Sequence, residues 1–356
     1  MATLERTDGA AGAQQISGYA TVSKRFHLYF ALLGFTFVSG IYLDGWAHNH
    51  GVVDDSFFTP YHGVMYSAYL IVFALLVFTL WRNISRGYSW AKALPRGYQL
   101  ALAGAVLFGV AGFGDMLWHE TFGIEEDMEA LLSPTHLALG VGAFLIATAP
   151  LRAFWHSREK ATLRNMLPAL IGLTAGLSMV TFFTMYISWA TFPYILIFDR
   201  FNENFINVIG LLMAVLPVLM TLGFILFLLR RWQLPFGALT VVFALNTVLT
   251  VWLHWEDFST VPLTAIAMPV AGIVGDILLR SSRSDVKLWL FSFVVPFTFT
   301  LVYLIALQVN GSAAYGQDLW WKIHMWLGAP FVSGVGGLLL GLLAFPPQIP
   351  DDSPIQ

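Results

Sequence analysis

The chain has 356 residues, of which 57% are hydrophobic and 11% are charged, and its formal net charge is −3. Soluble domains carry about 25% charged residues, so this composition, with a mean hydropathy of +0.70, excludes a soluble globular protein and indicates a membrane protein embedded in a lipid bilayer. The weakly acidic balance gives no electrostatic basis for a nucleic-acid partner. Because the chain contains no cysteine, it has neither a disulfide framework nor a thiolate metal site.

The chain begins with residues 1–22, a polar stretch rich in Gly and Ala that is predicted to be a disordered tail rather than a signal peptide. Ten apolar segments follow, each close to the length that a membrane-spanning helix needs. They predict an all-α fold, a polytopic membrane helical bundle of about ten transmembrane helices packed as repeated hairpins. The segments lie near 27–43, 62–81, 98–118, 135–151, 167–190, 205–229, 236–253, 263–279, 288–308 and 324–345.

The spans divide the chain into regions. Residues 23–156 hold two hairpins with a polar motif each, 160–346 add six further transmembrane helices that begin with a third hairpin, and 347–356 form a second tail. Of the 18 Lys and Arg residues, all but Arg200 and Lys322 fall on one side of this topology. Because cytoplasmic loops retain Lys and Arg, both termini are predicted to be cytoplasmic in a bacterial inner (plasma) membrane. The opposite, periplasmic side then holds seven of the nine histidines.

Two copies of one polar motif stand at that side, at 44–62 and 115–136. Each copy reads Asp-x3-His, then an acidic loop, then Ser/Thr-Pro-x-His. Residues four apart on a helix share a face, and Pro is favoured at the first position of a helix, so each hairpin should bring a His from its second helix against an Asp/His pair from its first. The predicted metal ligands are Asp44, His48, His62, Asp115, His119 and His136.

Imidazole with carboxylate suits copper, zinc or non-haem iron, so the residue types alone leave the metal open. Other polar groups near the same side could hydrogen-bond to the ligands, although acidic runs are also common in solvated loops. These candidates are His50, Asp55, Glu120, Glu126, His254, Glu256 and His324.

The two motifs together resemble the C subunit of the copper-dependent membrane monooxygenases, the particulate methane and ammonia monooxygenases. The similarity spans roughly residues 40–140. In the first motif it rests on Asp44, Trp46, His48, Val53, Asp55, Phe58, Thr59, Pro60 and His62, and in the second on Trp118, His119, Glu125, Glu126, Pro134 and His136. The resemblance implies that Asp44, His48 and His62 bind copper, that Asp115, His119 and His136 form a neighbouring site, and that the reaction is an oxidation.

Three classes of function fit the sequence. The first is an oxygen-activating monooxygenase, or a subunit of one, that oxidises a small or apolar substrate and requires an electron donor, partner subunits and assembly into an oligomer. The second is a non-catalytic membrane protein for copper or zinc acquisition or delivery. The third is a zinc-dependent membrane hydrolase, in which Glu120 or Glu126 acts as general base on a metal-activated water.

Overall fold

The computed structural model describes residues 16–52, 58–123, 127–191, 196, 203–280, 284–316, 318–319 and 321–347. Within these ranges the chain forms thirteen α-helices and no β-strand. The helices are α1 (Lys24–Asn49), α2 (Pro60–Ile84), α3 (Gln99–Phe122), α4 (Asp127–Leu132), α5 (Pro134–Ala147), α6 (Ala149–Trp155), α7 (Leu163–Phe183), α8 (Glu203–Leu229), α9 (Ala238–Leu253), α10 (Trp255–Ser259), α11 (Ala267–Leu279), α12 (Asp285–Tyr315) and α13 (Ile323–Ala344).

Eight helical segments in the described part of the chain are long and apolar enough to cross a membrane, which confirms the predicted all-α membrane bundle. The predicted span 135–151 is broken into α5 and α6, which meet at a bend of 44°. The bend lies at the start of α6, where Pro150 occupies the first turn. Pro breaks the helix here because it supplies no backbone N–H and its ring clashes with the preceding turn. The predicted span 236–253 corresponds to α9, an apolar helix of 16 residues.

Four of the five predicted hairpins are close helix pairs: α1 with α2, α3 with α5, α9 with α11 and α12 with α13. The third predicted hairpin is different. Helix α7 packs mainly against α1, α9 and α6, whereas α8 packs against α12 and α13. The reason lies in the burial of α7: over the stretch long enough to cross a membrane, 78% of it is buried inside the protein. A helix covered on most of its surface belongs at the centre of a bundle.

Two apolar cores flank this central helix. The first is built mainly from α1, α2, α3 and α5, and the second from α6, α8, α11, α12 and α13, while α7 and α9 contribute to both. In the first core Phe108 packs edge-on against Phe37 and tilted against Tyr69, with centroid distances of 4.9 Å in both pairs. These rings join α1, α2 and α3, the helices that carry most of the predicted ligands.

Residues 16–22, the end of the N-terminal stretch that is predicted to be disordered, contact the loop between α2 and α3. The Ile16 amide donates to the Gly87 carbonyl (3.2 Å), and the Ala20 amide donates to the Lys92 carbonyl (2.8 Å). Ala20 is buried. Residues 16–22 are therefore fixed against this loop, at the opposite end of α1 from the Asp/His motif.

Candidate metal centre

The first predicted ligand set comes together at the end of α1 and the start of α2. Asp44 and His48, four residues apart, project from the same face of α1, and His62 meets them from α2. The Nε2 atom of His62 lies 3.3 Å from Asp44 Oδ2, and that of His48 lies 3.8 Å from the same oxygen. We call these three residues the first triad.

Its third member is placed by the Thr-Pro-x-His sequence. Thr59 is the N-cap of α2, and its hydroxyl accepts a hydrogen bond from the backbone N–H of His62 at 3.1 Å. Pro60, at the first helical position, needs no partner for its nitrogen. This cap starts the helix at one defined residue and so fixes where the His62 ring points.

The second triad consists of Asp115 and His119 on α3 and His136 on α5. His119 Nε2 lies 3.4 Å from Asp115 Oδ2, and His136 Nε2 lies 3.7 Å from Asp115 Oδ1. Ser133 caps α5 as Thr59 caps α2, by accepting from the His136 backbone N–H at 3.2 Å. The repeated sequence motif therefore produces a repeated local structure.

Hydrogen bonds behind the second triad orient its members. Thr135 donates from Oγ1 to Asp115 Oδ1 at 2.7 Å. The Nδ1 atoms of the two imidazoles lie 3.3 Å from the Gly123 carbonyl oxygen for His119 and 2.7 Å from Ser133 Oγ for His136. When Nδ1–H donates to these oxygens, each Nε2 keeps its lone pair directed towards the carboxylate, as metal-binding histidines require.

The separations within each triad suit one shared ion. Two ligand atoms each about 2.1 Å from an ion are about 3.0 Å apart at a right angle and about 3.4 Å apart at the tetrahedral angle. The Asp–His separations of 3.3–3.8 Å fall near these values and exceed the usual N–H···O length of about 2.9–3.0 Å. In each triad all three candidate ligand atoms lie within 4.8 Å of one another.

Burial of the carboxylates gives a second, independent indication. Oδ1 of Asp44 is buried and has no hydrogen-bond partner in the described part of the chain. The Asp115 side chain is 3% exposed and faces two imidazoles. An ionised carboxylate at such depth is costly unless a cation compensates it, so the residues present fit a bound metal ion.

The two imidazoles of each triad differ in exposure. The exposed side-chain fraction is 33% for His48 against 11% for His62, and 27% for His136 against 9% for His119. One imidazole of each pair therefore lies at the surface and its partner is enclosed.

The two triads are neighbours, one on α1 and α2 and the other on α3 and α5. His48 lies near enough to His119 and His136 for their charges to interact. Tyr66 stands between the triads: its ring packs edge-on against His62 at 6.0 Å, and its hydroxyl interacts electrostatically with both Asp44 and Asp115. The sequence motifs do not include Tyr66, although its position one turn beyond His62 on α2 was a signal that it would face the same region.

Three of the predicted supporting residues form a separate group. His50 stacks on Trp46 at a centroid distance of 4.7 Å and places Nδ1 2.7 Å from the Trp46 carbonyl oxygen, while its Nε2 lies 3.9 Å from Glu256 Oε2. His254 is buried, with Nε2 3.1 Å from Thr191 Oγ1. Among the described residues, neither His50 nor His254 joins the ligand group of a triad. Their contacts are with Trp46, Glu256 and Thr191 instead.

The remaining candidates lie at the surface or outside the described residues. Glu120 and His324 are exposed, and neither belongs to a group of potential metal ligands in the described part of the chain. Asp55 and Glu126 fall outside the described residues. Of the two predicted hydrolase bases, Glu120 therefore joins neither ligand group among the described residues. Ser133 and Thr135, which the sequence interpretation left without a role, contact the second triad directly.

The fold and site define a class: a helical protein with membrane-spanning segments and two adjacent triads, each of one carboxylate and two imidazoles. Comparison with protein-family models, curated proteins and solved structures finds no match to this chain.

Proposed function

We propose that the chain is a membrane metalloprotein that binds one copper ion in each triad and acts in the oxidation of a small or apolar substrate, as a monooxygenase or a subunit of one. The observation that carries the proposal is the repeated triad itself, with Asp–His separations of 3.3–3.8 Å around a carboxylate side chain that is 14% exposed in the first triad and 3% in the second. Copper is favoured over zinc and iron by the resemblance of the two motifs, in the same order, to those of the copper membrane monooxygenases.

In this proposal Asp44, His48 and His62 hold one ion, and Asp115, His119 and His136 hold the other. Three protein ligands leave a coordination position open, which is the arrangement of catalytic rather than closed structural sites. A bound copper ion would supply the one-electron redox chemistry that the oxidation needs. The chain's own part is to fix the imidazole orientation through Ser133 and the Gly123 carbonyl and to keep the carboxylates buried.

The surroundings favour an apolar substrate. Phe122 lies one turn beyond His119 on α3 and is 68% exposed. Phe113 and Leu117, on the other side of the same helix, are 63% and 49% exposed. In a bilayer such side chains face lipid, so a molecule dissolved in the membrane would approach the second triad beside Phe122. Water and ions would approach from the side of His48 and His136.

The finer topology belongs to the same proposal. We infer ten spans, with α5–α6 as one bent span and α9 as a short one, both termini in the cytoplasm and both triads facing the periplasm. The distribution of Lys and Arg supports this orientation. An electron donor and partner subunits would complete the enzyme.

An isotope experiment tests the catalytic part of the proposal. Copper-loaded protein in nanodiscs, supplied with a chemical reductant, ¹⁸O₂ and a panel of short hydrocarbons and ammonia, should form ¹⁸O-labelled product. The His48→Ala/His119→Ala variant should form none, and His156→Ala, which alters an exposed histidine at the other end of the bundle, should match wild type. Bound copper without any labelled product would instead favour acquisition or delivery, and bound zinc with reductant-independent hydrolysis would favour the hydrolase.

A further inference from the structure

A second polar feature lies at the end of the bundle opposite the triads. There the start of α1, the end of α6 and the start of α7 enclose a cavity of about 520 Å³. Its lining combines charged groups, Lys24, Arg25, Glu159 and Arg164, with apolar side chains such as Leu28 and Phe154. Nothing in the function proposed above uses this cavity.

The charge around the cavity is mainly positive. Three cationic side chains, Lys24, Arg25 and Arg164, face one carboxylate, that of Glu159. Lys24 forms an ion pair with Glu159, with Nζ 2.7 Å from Oε2. The same Nζ donates to Asn165 Oδ1 at 3.2 Å. Arg25 and Arg164 are exposed and have no ion pair among the described residues, so two guanidinium groups remain available to an anion.

Two helices also begin here. Ser23 caps α1 by accepting from the Phe26 N–H, and Thr162 caps α7 by accepting from the Asn165 N–H. The first turn of a helix carries a partial positive charge, and two such turns beside two arginines add to the attraction for an anion.

The inner wall of the cavity is apolar. Leu28, Phe154, Leu167 and Pro168 line it, and Phe154 belongs to the second core. A small inorganic anion would leave this wall without a partner. A molecule with an anionic head and hydrocarbon chains would match both parts, with its head at the arginines and a chain segment against the apolar residues.

We propose that this cavity binds the phosphodiester headgroup of an anionic phospholipid from the leaflet at the basic end of the bundle. Guanidinium pairs phosphate oxygens in a bidentate manner, and basic pockets between transmembrane helices are suited to such headgroups. The lipid would join α1, which carries Asp44 and His48 at its other end, to the central helix α7. The proposal is independent of the metal and of the reaction.

Native mass spectrometry of the detergent-purified full chain tests it, with phosphatidylglycerol, phosphatidylcholine and inorganic phosphate as separate probes. Wild type should retain one phosphatidylglycerol and discriminate against phosphatidylcholine, and millimolar phosphate should not displace the lipid. The Arg25→Gln/Arg164→Gln variant should retain at least fivefold less. Arg82→Gln/Arg86→Gln, which removes two exposed arginines from the end of α2, is the matched control and should behave as wild type.

A conservative variant separates binding from folding. Arg25→Lys/Arg164→Lys keeps both charges and should recover most of the lipid retention, and metal content should be the same in all variants. Equal retention by the glutamine variant and its control would overturn the proposal. Displacement of the lipid by free phosphate, or equal binding of phosphatidylcholine, would overturn the assignment to an anionic phospholipid.

Discussion

Single side chains decide how well each triad is prepared for an ion. The two carboxylates differ: Asp115 Oδ1 accepts a hydrogen bond from Thr135, whereas Asp44 Oδ1 has no partner among the described residues. Hydrogen bonds to ligand carboxylates and imidazoles fix their orientation before the metal arrives. The second triad is therefore the more preorganised of the two, and the first depends more on the ion itself.

Thr135→Val removes the hydrogen bond to Asp115 with little change of shape. Loss of such a partner lowers metal affinity by about 10–100-fold, so the second triad should bind about tenfold more weakly. Copper competition titration in a His48→Ala background reads this triad alone. Thr121→Val, which removes only a hydroxyl bonded to the Leu117 carbonyl near the end of α3, is the control; an equal loss in both variants would contradict the assigned role of Thr135.

His254 offers a pH-dependent test. Burial, with a smaller contribution from the charge of His50, lowers the pKa of His254 from 6.5 to about 4. Thr191 already donates its hydroxyl to the Met185 carbonyl, so its oxygen accepts from Nε2–H of a neutral imidazole. Between pH 6.5 and about pH 4, His254 is protonated in the unfolded chain and neutral in the folded chain. The folding stability therefore decreases as the pH is lowered through this range.

Between pH 7.5 and pH 5 this one group should cost about 2 kcal/mol of folding stability. The His254→Gln variant cannot gain that proton, so its Tm relative to wild type should rise as the pH falls. Differential scanning in detergent over this range, with His156→Gln as the exposed control, measures the effect. A Tm difference that stays constant with pH would contradict the neutral, buried state of His254.

At the scale of helices, the second triad depends on the close approach of α3 and α5. A Cβ at Gly104 would lie 2.6 Å from the Leu145 Cβ and 2.8 Å from the Gly142 carbonyl oxygen, and one at Gly142 would lie 2.8 Å from the Gly104 carbonyl oxygen. The backbones of the two helices are therefore in direct contact at these glycines. Small residues permit such contacts between helices in membranes.

Gly104→Ala should separate α3 from α5 and cost about 1–3 kcal/mol, the usual range for overpacking. Because Asp115 and His119 lie on α3 and His136 on α5, the second triad should also lose copper affinity while the first keeps it. Tm and metal content measure the two effects. Gly223→Ala, at a helical glycine with open space around it, should be neutral, and a neutral Gly104→Ala would mean that the helices do not cross at this point.

The helices themselves could largely be predicted from the sequence, since apolar length specifies a span wherever the chain crosses a bilayer. The i,i+4 spacing and the Pro at the helix start also predicted that His62 would meet Asp44 and His48, and that the second motif would repeat this arrangement. The 44° bend between α5 and α6 and the separation of α7 from α8 could not be predicted in this way, because they depend on which helix surfaces meet. The same holds for Thr135, whose neighbour Asp115 is distant in sequence.

For the molecule as a whole, the arrangement predicts two chemically different ends. The triads stand at one end, and the proposed phospholipid cavity, with Lys24, Arg25 and Arg164, stands at the other. The proposed orientation, with the basic end in the cytoplasm and the triads in the periplasm, rests on the preference of cytoplasmic loops for Lys and Arg.

The absence of native cysteine permits a direct test of this topology. Asn49→Cys and Glu120→Cys should react with a membrane-impermeant maleimide only from the periplasmic face, and Arg86→Cys and Ser157→Cys only from the cytoplasmic face. Labelling of spheroplasts and of inverted vesicles measures both. Labelling of Asn49→Cys and Ser157→Cys from the same side would contradict the proposed topology.

The central claim is that each triad binds one metal ion, and metal analysis with electron paramagnetic resonance on copper-loaded protein in nanodiscs tests it most directly. We predict two equivalents of copper in wild type and in His156→Ala, one in His48→Ala and one in His119→Ala, since the triads are separate sets of ligands. The double variant should bind none and lose the Cu(II) signal. An unchanged metal content in folded double variant would contradict the account.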